Sequence, residues 1–127
     1  MTAKTFLTIS SIFAILYGLG FLLFPGPSIV IYGTEPEPHL ILIMRYFAST
    51  LLAFGVLTWF GMDFRDWEAV RAVLIAVIIL NGVGLLVTLW GMAEGLLNST
   101  AWSSIILYAV FLAGAVYCLS AGARKLA

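Results

Sequence analysis

AVLIAVIILNGVGLLVTLW, residues 72–90, contains no charged side chain. A helix needs about 20 apolar residues to cross the hydrocarbon core of a bilayer, and this stretch is long enough to do so. Three further runs of the same kind lie at Thr5–Phe24, Leu40–Phe60 and Ala101–Ala121, and Arg45 is the one charged residue within all four. The sequence therefore predicts four transmembrane helices.

The composition excludes several classes of protein. Hydrophobic residues make up 63% of the 127 residues and charged residues 9%, against roughly 45–50% and about 25% in soluble domains. The formal net charge is zero, so no excess of positive charge attracts a phosphate backbone. The chain is thus predicted to lie in a lipid bilayer and not to bind nucleic acid.

The predicted fold is an all-α, antiparallel four-helix transmembrane bundle that forms a single membrane domain over residues 1–127. Isolated strands would leave unpaired backbone groups in lipid, and a barrel would show polarity with a period of two. Because the connections between the four runs are short, helices that are neighbours in sequence are expected to be antiparallel neighbours in space.

The distribution of basic residues predicts the orientation. Lys4 precedes the first run, Arg65 and Arg71 lie between the second and third, and Arg124 and Lys125 follow the fourth. The other two connections contain no Lys or Arg. The positive-inside rule then places both termini in the cytoplasm, and a bacterial inner membrane is the expected location.

Small and weakly polar residues predict how the helices pack, since helices in lipid associate through close contact and interhelical hydrogen bonds. Each run has one such stripe at helical spacing. The four stripes are Thr8, Ser11, Ala14 and Gly18; Arg45, Ser49 and Ala53; Asn81, Gly84 and Thr88; and Ser104, Tyr108, Ala115 and Cys118.

The loops also carry local signals. Pro27–Tyr32 is expected to form one amphipathic turn that ends at Gly33, and the alternating prolines of Glu35–Pro38 predict extended backbone. In the second connection, Asp63 or Asp66 is expected to cap a helix that runs into the third span.

Four polar side chains on four different helices form the candidate site. At a rise of 1.5 Å per residue, Arg45 lies about 8 Å, Tyr17 and Tyr108 about 10 Å, and Asn81 about 13 Å below the outer boundary. A charge in the membrane is costly, so it usually faces the bundle interior and has a partner.

Two interpretations of Arg45 remain open. Its long side chain could snorkel to Glu35, Glu37 or the lipid headgroups. Alternatively, Arg45 could line a polar pocket that opens to the outer leaflet, with the acidic first loop as a lid and His39 as a further lid residue. Such a pocket would suit a lipid headgroup, a quinone carbonyl or a small carboxylate.

Residues that support catalysis are scarce. The chain has one cysteine, Cys118, and one histidine, His39, so neither an internal disulfide nor a bis-His haem is possible. No His, Cys and carboxylate cluster suggests a metal site, and no paired intramembrane carboxylates suggest a proton relay. The sequence predicts no metal, no cofactor and no enzymatic activity.

A set of short motifs resembles small, uncharacterised bacterial four-span proteins of a broadly DoxX-like kind. The motifs are YGLGFLLFP at 17–25, the pair Tyr32-Gly33, RYFA at 45–48, LAFGVLTW at 52–59 and NGVG at 81–84. They cover most of the chain. The resemblance implies a four-span membrane protein and a setting beside membrane quinone-linked oxidoreductases, but it implies no reaction.

The function predicted from the sequence is that of a non-catalytic membrane protein, an accessory or scaffold subunit that packs against other membrane subunits or against copies of itself. The alternative is a binder or carrier of a lipid, quinone or small amphiphile at the polar cluster around Arg45.

Overall fold

A computed structural model describes residues 2–122 and contains five helices: α1 (Ala3–Leu23), α2 (Pro25–Ile31), α3 (Pro38–Gly61), α4 (Trp67–Ala93) and α5 (Ala101–Ala121). All except α2 are long and apolar enough to cross a membrane. The predicted all-α bundle is confirmed, and these four helices mark the chain as an integral membrane protein. Arg124 and Lys125, on which the predicted orientation partly depends, lie outside the described residues.

Capping explains why α3 and α4 extend beyond their apolar runs. The Glu37 carboxylate accepts a hydrogen bond from the His39 backbone N–H, and that of Asp66 accepts one from the Glu68 N–H. Each bond satisfies a donor that the first turn of a helix leaves unpaired. Of the two predicted caps in the second connection, Asp66 is therefore the one that forms.

The first loop folds back onto the third. Helix α2 ends as predicted before Gly33, which has a φ of +89°. The Asn98 side-chain amide donates to the Ile31 carbonyl at 3.0 Å, and the Asn98 backbone N–H donates to the Tyr32 carbonyl at 3.3 Å. These bonds hold the first and third loops together at one end of the bundle.

The four long helices form two closely packed hairpins, α1 with α3 and α4 with α5. Glycines allow the close approach within each one. Gly18 lies against Leu52, Gly55 lies against Ala14 and Ile15, and Gly84 lies against the Tyr108 ring.

The two hairpins meet mainly at one end of the bundle, here named the core end, where α1 begins and α5 finishes. The buried cluster there combines small, branched and aromatic side chains from three helices: Ala3, Phe6, Leu7, Val70, Val73, Leu74, Val77, Ala115 and Cys118. The opposite end, which carries α2 and residues 94–100, is named the loop end.

Three of the four predicted packing stripes are confirmed, and the stripe on the second span is wrong. Ser49 and Ala53 are exposed, whereas the residues that α3 buries are Ala48, Gly55, Thr58 and Gly61. Ser49 needs no partner on another helix because its hydroxyl donates to the Tyr46 carbonyl at 2.8 Å. Gly55 permits a closer approach than serine, so the glycine face packs inward.

Candidate functional site: a cavity between the two hairpins

A cavity of about 460 Å³ lies between the two hairpins, toward the loop end. All four long helices contribute to its wall, together with Tyr32 and Leu97 from the loops. Its aromatic lining consists of Phe13, Tyr17, Phe21, Tyr32, Phe47, Phe54, Tyr108 and Phe111.

The packing of side chains between the hairpins differs between the two halves of the bundle. At the core end, Ala3 and Ala115 are completely or almost completely buried and let the helices approach. Toward the loop end, aromatic rings line the gap between the hairpins. Phe13 and Phe111 meet edge to face, with ring centroids 5.3 Å apart, and so close the gap between α1 and α5 on this side.

Three of the four residues of the predicted polar cluster line this cavity: Tyr17, Asn81 and Tyr108. The cavity also contains polar residues that the sequence interpretation did not assign to a site: Ser10, Tyr32, Thr88 and Ser104. Several of the seven residues are hydrogen-bonded within the protein. Tyr32 and Ser104 share a hydrogen bond between their hydroxyls, and the Thr88 hydroxyl donates to the Gly84 carbonyl at 2.8 Å.

Four polar groups in the wall have no hydrogen-bond partner among residues 2–122. They are the hydroxyls of Ser10, Tyr17 and Tyr108 and the side-chain oxygen of Asn81. In the same part of the chain, every fully enclosed side-chain nitrogen or oxygen has a partner. Ser10, Asn81 and Tyr108 are buried or half-buried in the cavity wall, so their unpaired groups are available to a molecule inside the cavity, whereas Tyr17 lines the cavity but is also 38% exposed.

The polar groups form two levels. Ser10 lies about two helical turns below Tyr17 on α1, and Asn81 lies the same distance below Thr88 on α4, which is about 10 Å in each case. The deep level consists of Ser10 and Asn81, and the upper level includes Tyr17 and Thr88. The Tyr108 ring lies against Gly84, which is between the two levels on α4.

The structure separates Arg45 from the other members of the predicted cluster. Its side chain is exposed and does not line the cavity, and its Nε donates to the Leu22 carbonyl at 3.4 Å. Leu22 is in the last turn of α1, where carbonyls lack partners within the helix and the helix dipole favours a cation. Arg45 therefore caps α1 from the neighbouring helix.

The predicted lid residues lie at the start of α3 and not in the cavity wall. The Glu37 carboxylate accepts from the backbone N–H of His39 at 3.0 Å and lies 2.8 Å from its Nδ1. The backbone bond, helped by the contact with the ring, lowers the pKa of Glu37. The Glu35 carbonyl accepts from the Glu37 N–H, so this segment forms a cap for α3.

No charged side chain of the described residues lines the cavity, and residues 2–122 contain no group of three His, Cys, Asp or Glu side chains placed to hold a metal ion. The cavity therefore offers hydrogen bonds and aromatic surface.

Sequence alone indicated only part of this site. Tyr17, Asn81 and Tyr108 stand out as polar residues deep in apolar runs, whereas Ser10 has no feature that separates it from Thr8 and Ser11. Comparison of the chain with protein-family models, with curated proteins and with solved structures found no match. The functional argument therefore depends on the fold and on the side chains that line the cavity.

Proposed function

We propose that this membrane protein binds a small, uncharged amphiphile, such as a neutral lipid or a quinone-like molecule, in the cavity between its hairpins. The observation that carries the proposal is the set of four unpaired polar groups around an aromatic cavity. Leaving a polar group without a hydrogen bond in an apolar environment costs up to several kcal/mol of free energy. A bound molecule that supplies hydrogen bonds removes this cost.

The size and charge of the cavity define the ligand class. Ligand cavities are usually about 300–1,000 Å³, largely apolar, with a few polar groups that orient the ligand. A volume of about 460 Å³ fits this range. With Arg45 outside the wall, nothing among the described lining residues balances a phosphate or carboxylate, so a neutral ligand is favoured over the anionic ones.

The test is the set of small molecules that co-purify with the protein in mild detergent. The double variant Tyr17→Phe/Tyr108→Phe removes two unpaired hydroxyls and leaves the cavity shape almost unchanged, so the bound species should fall about tenfold or more. Tyr46→Phe is the matched control, because Tyr46 is 66% exposed and outside the cavity. Arg45→Leu should also keep the wild-type profile. Identical profiles for the wild type and the double variant would contradict the proposal.

A second function, packing against another membrane subunit or a second copy, is favoured by the outer face of α3. Ser49, Thr50 and Ala53 are exposed there, where lipid-facing positions normally carry large aliphatic side chains. Small and hydroxyl-bearing residues are enriched where transmembrane helices touch. The accessory-subunit role is compatible with ligand binding because this face points away from the cavity.

Cross-linking in native membranes tests the α3 interface. A cysteine at Ser49 should form a cross-linked product with a bismaleimide, and the mass of the product distinguishes a dimer from a complex with another subunit. A cysteine at Leu86, which is 68% exposed on α4, is the lipid-facing control. The native Cys118 is buried and should not react. Equal cross-linking at both positions would argue against a specific interface on α3.

We also propose a bacterial inner-membrane location and kinship with the DoxX-like proteins that the sequence motifs resemble. The apolar spans and the distribution of basic residues support the location. Quinone-linked neighbours would be consistent with an uncharged, ring-bearing ligand, but the proposal of ligand binding depends on the cavity alone.

A further inference from the structure

The deep level of the cavity is built from two buried polar residues on different hairpins. Ser10 and Asn81 are each only 6% exposed, and both line the cavity. The Asn81 Nδ2 donates to the Val77 carbonyl at 2.8 Å. Because a carbonyl can only accept, this bond determines the orientation of the amide and directs Oδ1 away from the α4 backbone.

The chemistry of this pair is asymmetric. The Asn81 Oδ1 can only accept a hydrogen bond, and it has no donor among residues 2–122. The Ser10 hydroxyl and the second N–H of Asn81 can donate. A ligand hydroxyl would satisfy both sides at once, since it donates to Oδ1 and accepts from one of these donors. A ketone or an ether can accept but leaves Oδ1 without a donor.

The apolar surroundings of Asn81 increase the difference in binding between a ligand with a hydroxyl and one with a ketone or an ether. Leu80 and Phe111 also line the cavity near this depth, since Leu80 precedes Asn81 and the Phe111 ring contacts Phe6 and Phe13 on either side of Ser10 along α1. An apolar setting strengthens a hydrogen bond that is made and penalises one that is missing. A site built to bond a hydroxyl discriminates against the analogue that lacks it because its own polar groups are then left unpaired.

We propose that the cavity recognises its amphiphile through a hydroxyl group, as in a phenol or an alcohol, and that Asn81 determines this preference, which favours a hydroxyl-bearing lipid over a quinone among the ligands proposed above. The inference depends on the proposed ligand-binding function and adds the class of polar group that the ligand carries. Asn81 acts here as a specificity-determining residue at the deep end of the cavity.

The experiment uses 4-nonylphenol and its methyl ether, 4-nonylanisole, as a matched pair of probes. Binding of each radiolabelled probe to the full-length protein in nanodiscs is measured by equilibrium dialysis, with empty nanodiscs to correct for partitioning into lipid. The wild type should bind the phenol about tenfold more tightly than the ether. Asn81→Leu should weaken phenol binding, leave ether binding nearly unchanged and so abolish the preference.

Two further variants make the result specific. Tyr46→Phe should retain the preference, because Tyr46 is exposed and lies outside the cavity. Ser10→Ala, a smaller change than Asn81→Leu, should lose part of the preference, and it provides the test if Asn81→Leu does not fold. Equal binding of both probes to the wild type, or a preference that survives in Asn81→Leu and Ser10→Ala, would overturn the inference and leave the proposed function standing. If neither probe binds to the wild type, both this inference and the proposed function would be overturned.

Discussion

Gly55→Ala should destabilise the protein by about 1–3 kcal/mol, the usual cost of inserting an extra group into a well-packed core. A methyl group at this position would lie 2.7 Å from Cγ1 of Ile15 and 3.1 Å from the Ile15 backbone nitrogen. The side chain of Ile15 can rotate, but its backbone cannot retreat unless α1 and α3 separate. The effect is opposite in sign to intrinsic propensity, since alanine is better than glycine within a helix by about 1 kcal/mol.

Gly20→Ala is the matched control for this prediction. Gly20 lies in α1, and a methyl group there would meet nothing within 4 Å. We therefore expect Gly20→Ala to be neutral or slightly stabilising. The measurement is the free energy of unfolding in bicelles by steric trapping. If Gly55→Ala is as stable as Gly20→Ala, then α1 and α3 do not pack as closely as the structure describes.

Cysteine labelling in intact cells should give an all-or-none difference between the two ends of the bundle. A cysteine at Thr34, in the first loop, should react with a membrane-impermeant maleimide, whereas one at Thr2 should not. The physical reason is that the basic residues outside the spans, Lys4 among them, all lie on one side of the membrane in the predicted topology. Cys118 is buried and should contribute little background.

The control for labelling is the same pair of variants in opened membranes, where Thr2→Cys should become reactive. Labelling at Thr2 and protection at Thr34 in intact cells would show that the topology is the opposite of the predicted one. The cavity would then open toward the cytoplasmic leaflet, because it lies toward the same end of the bundle as the first loop.

The polar cluster illustrates how far sequence reasoning reaches. Tyr17, Asn81 and Tyr108 were predicted to share a site because each is a polar residue in an apolar run at similar depth, and the structure brings all three to one cavity. Arg45 is also a polar residue in an apolar run at similar depth, but it lies outside this cavity. Depth follows from position along a helix, whereas the face that a residue occupies depends on the rotation of that helix in the bundle.

The rotation of α3 is decided by contacts between helices. The sequence prediction placed Ser49 and Ala53 on the packing face of α3, whereas the structure packs a second face, with Ala48 and Gly55, against the bundle. The second packs inward because a glycine lets the backbones approach and because the Ser49 hydroxyl is satisfied within its own helix. This choice also turns Arg45 toward the end of α1 and leaves the cavity without a charge.

The sequence by itself determined that the chain lies in a lipid bilayer, how many spans it has and where they approximately end. These properties depend on hydropathy, length and local capping. It also determined which side chains lie deep in the membrane. Only the tertiary structure decided that the hairpins close at one end around a buried cluster that includes Phe6 and Ala115 and leave an aromatic-lined cavity toward the other. The cavity arises from pairs of residues far apart in sequence. Because the cavity wall combines side chains from all four long helices, no single helix carries the information that defines the site.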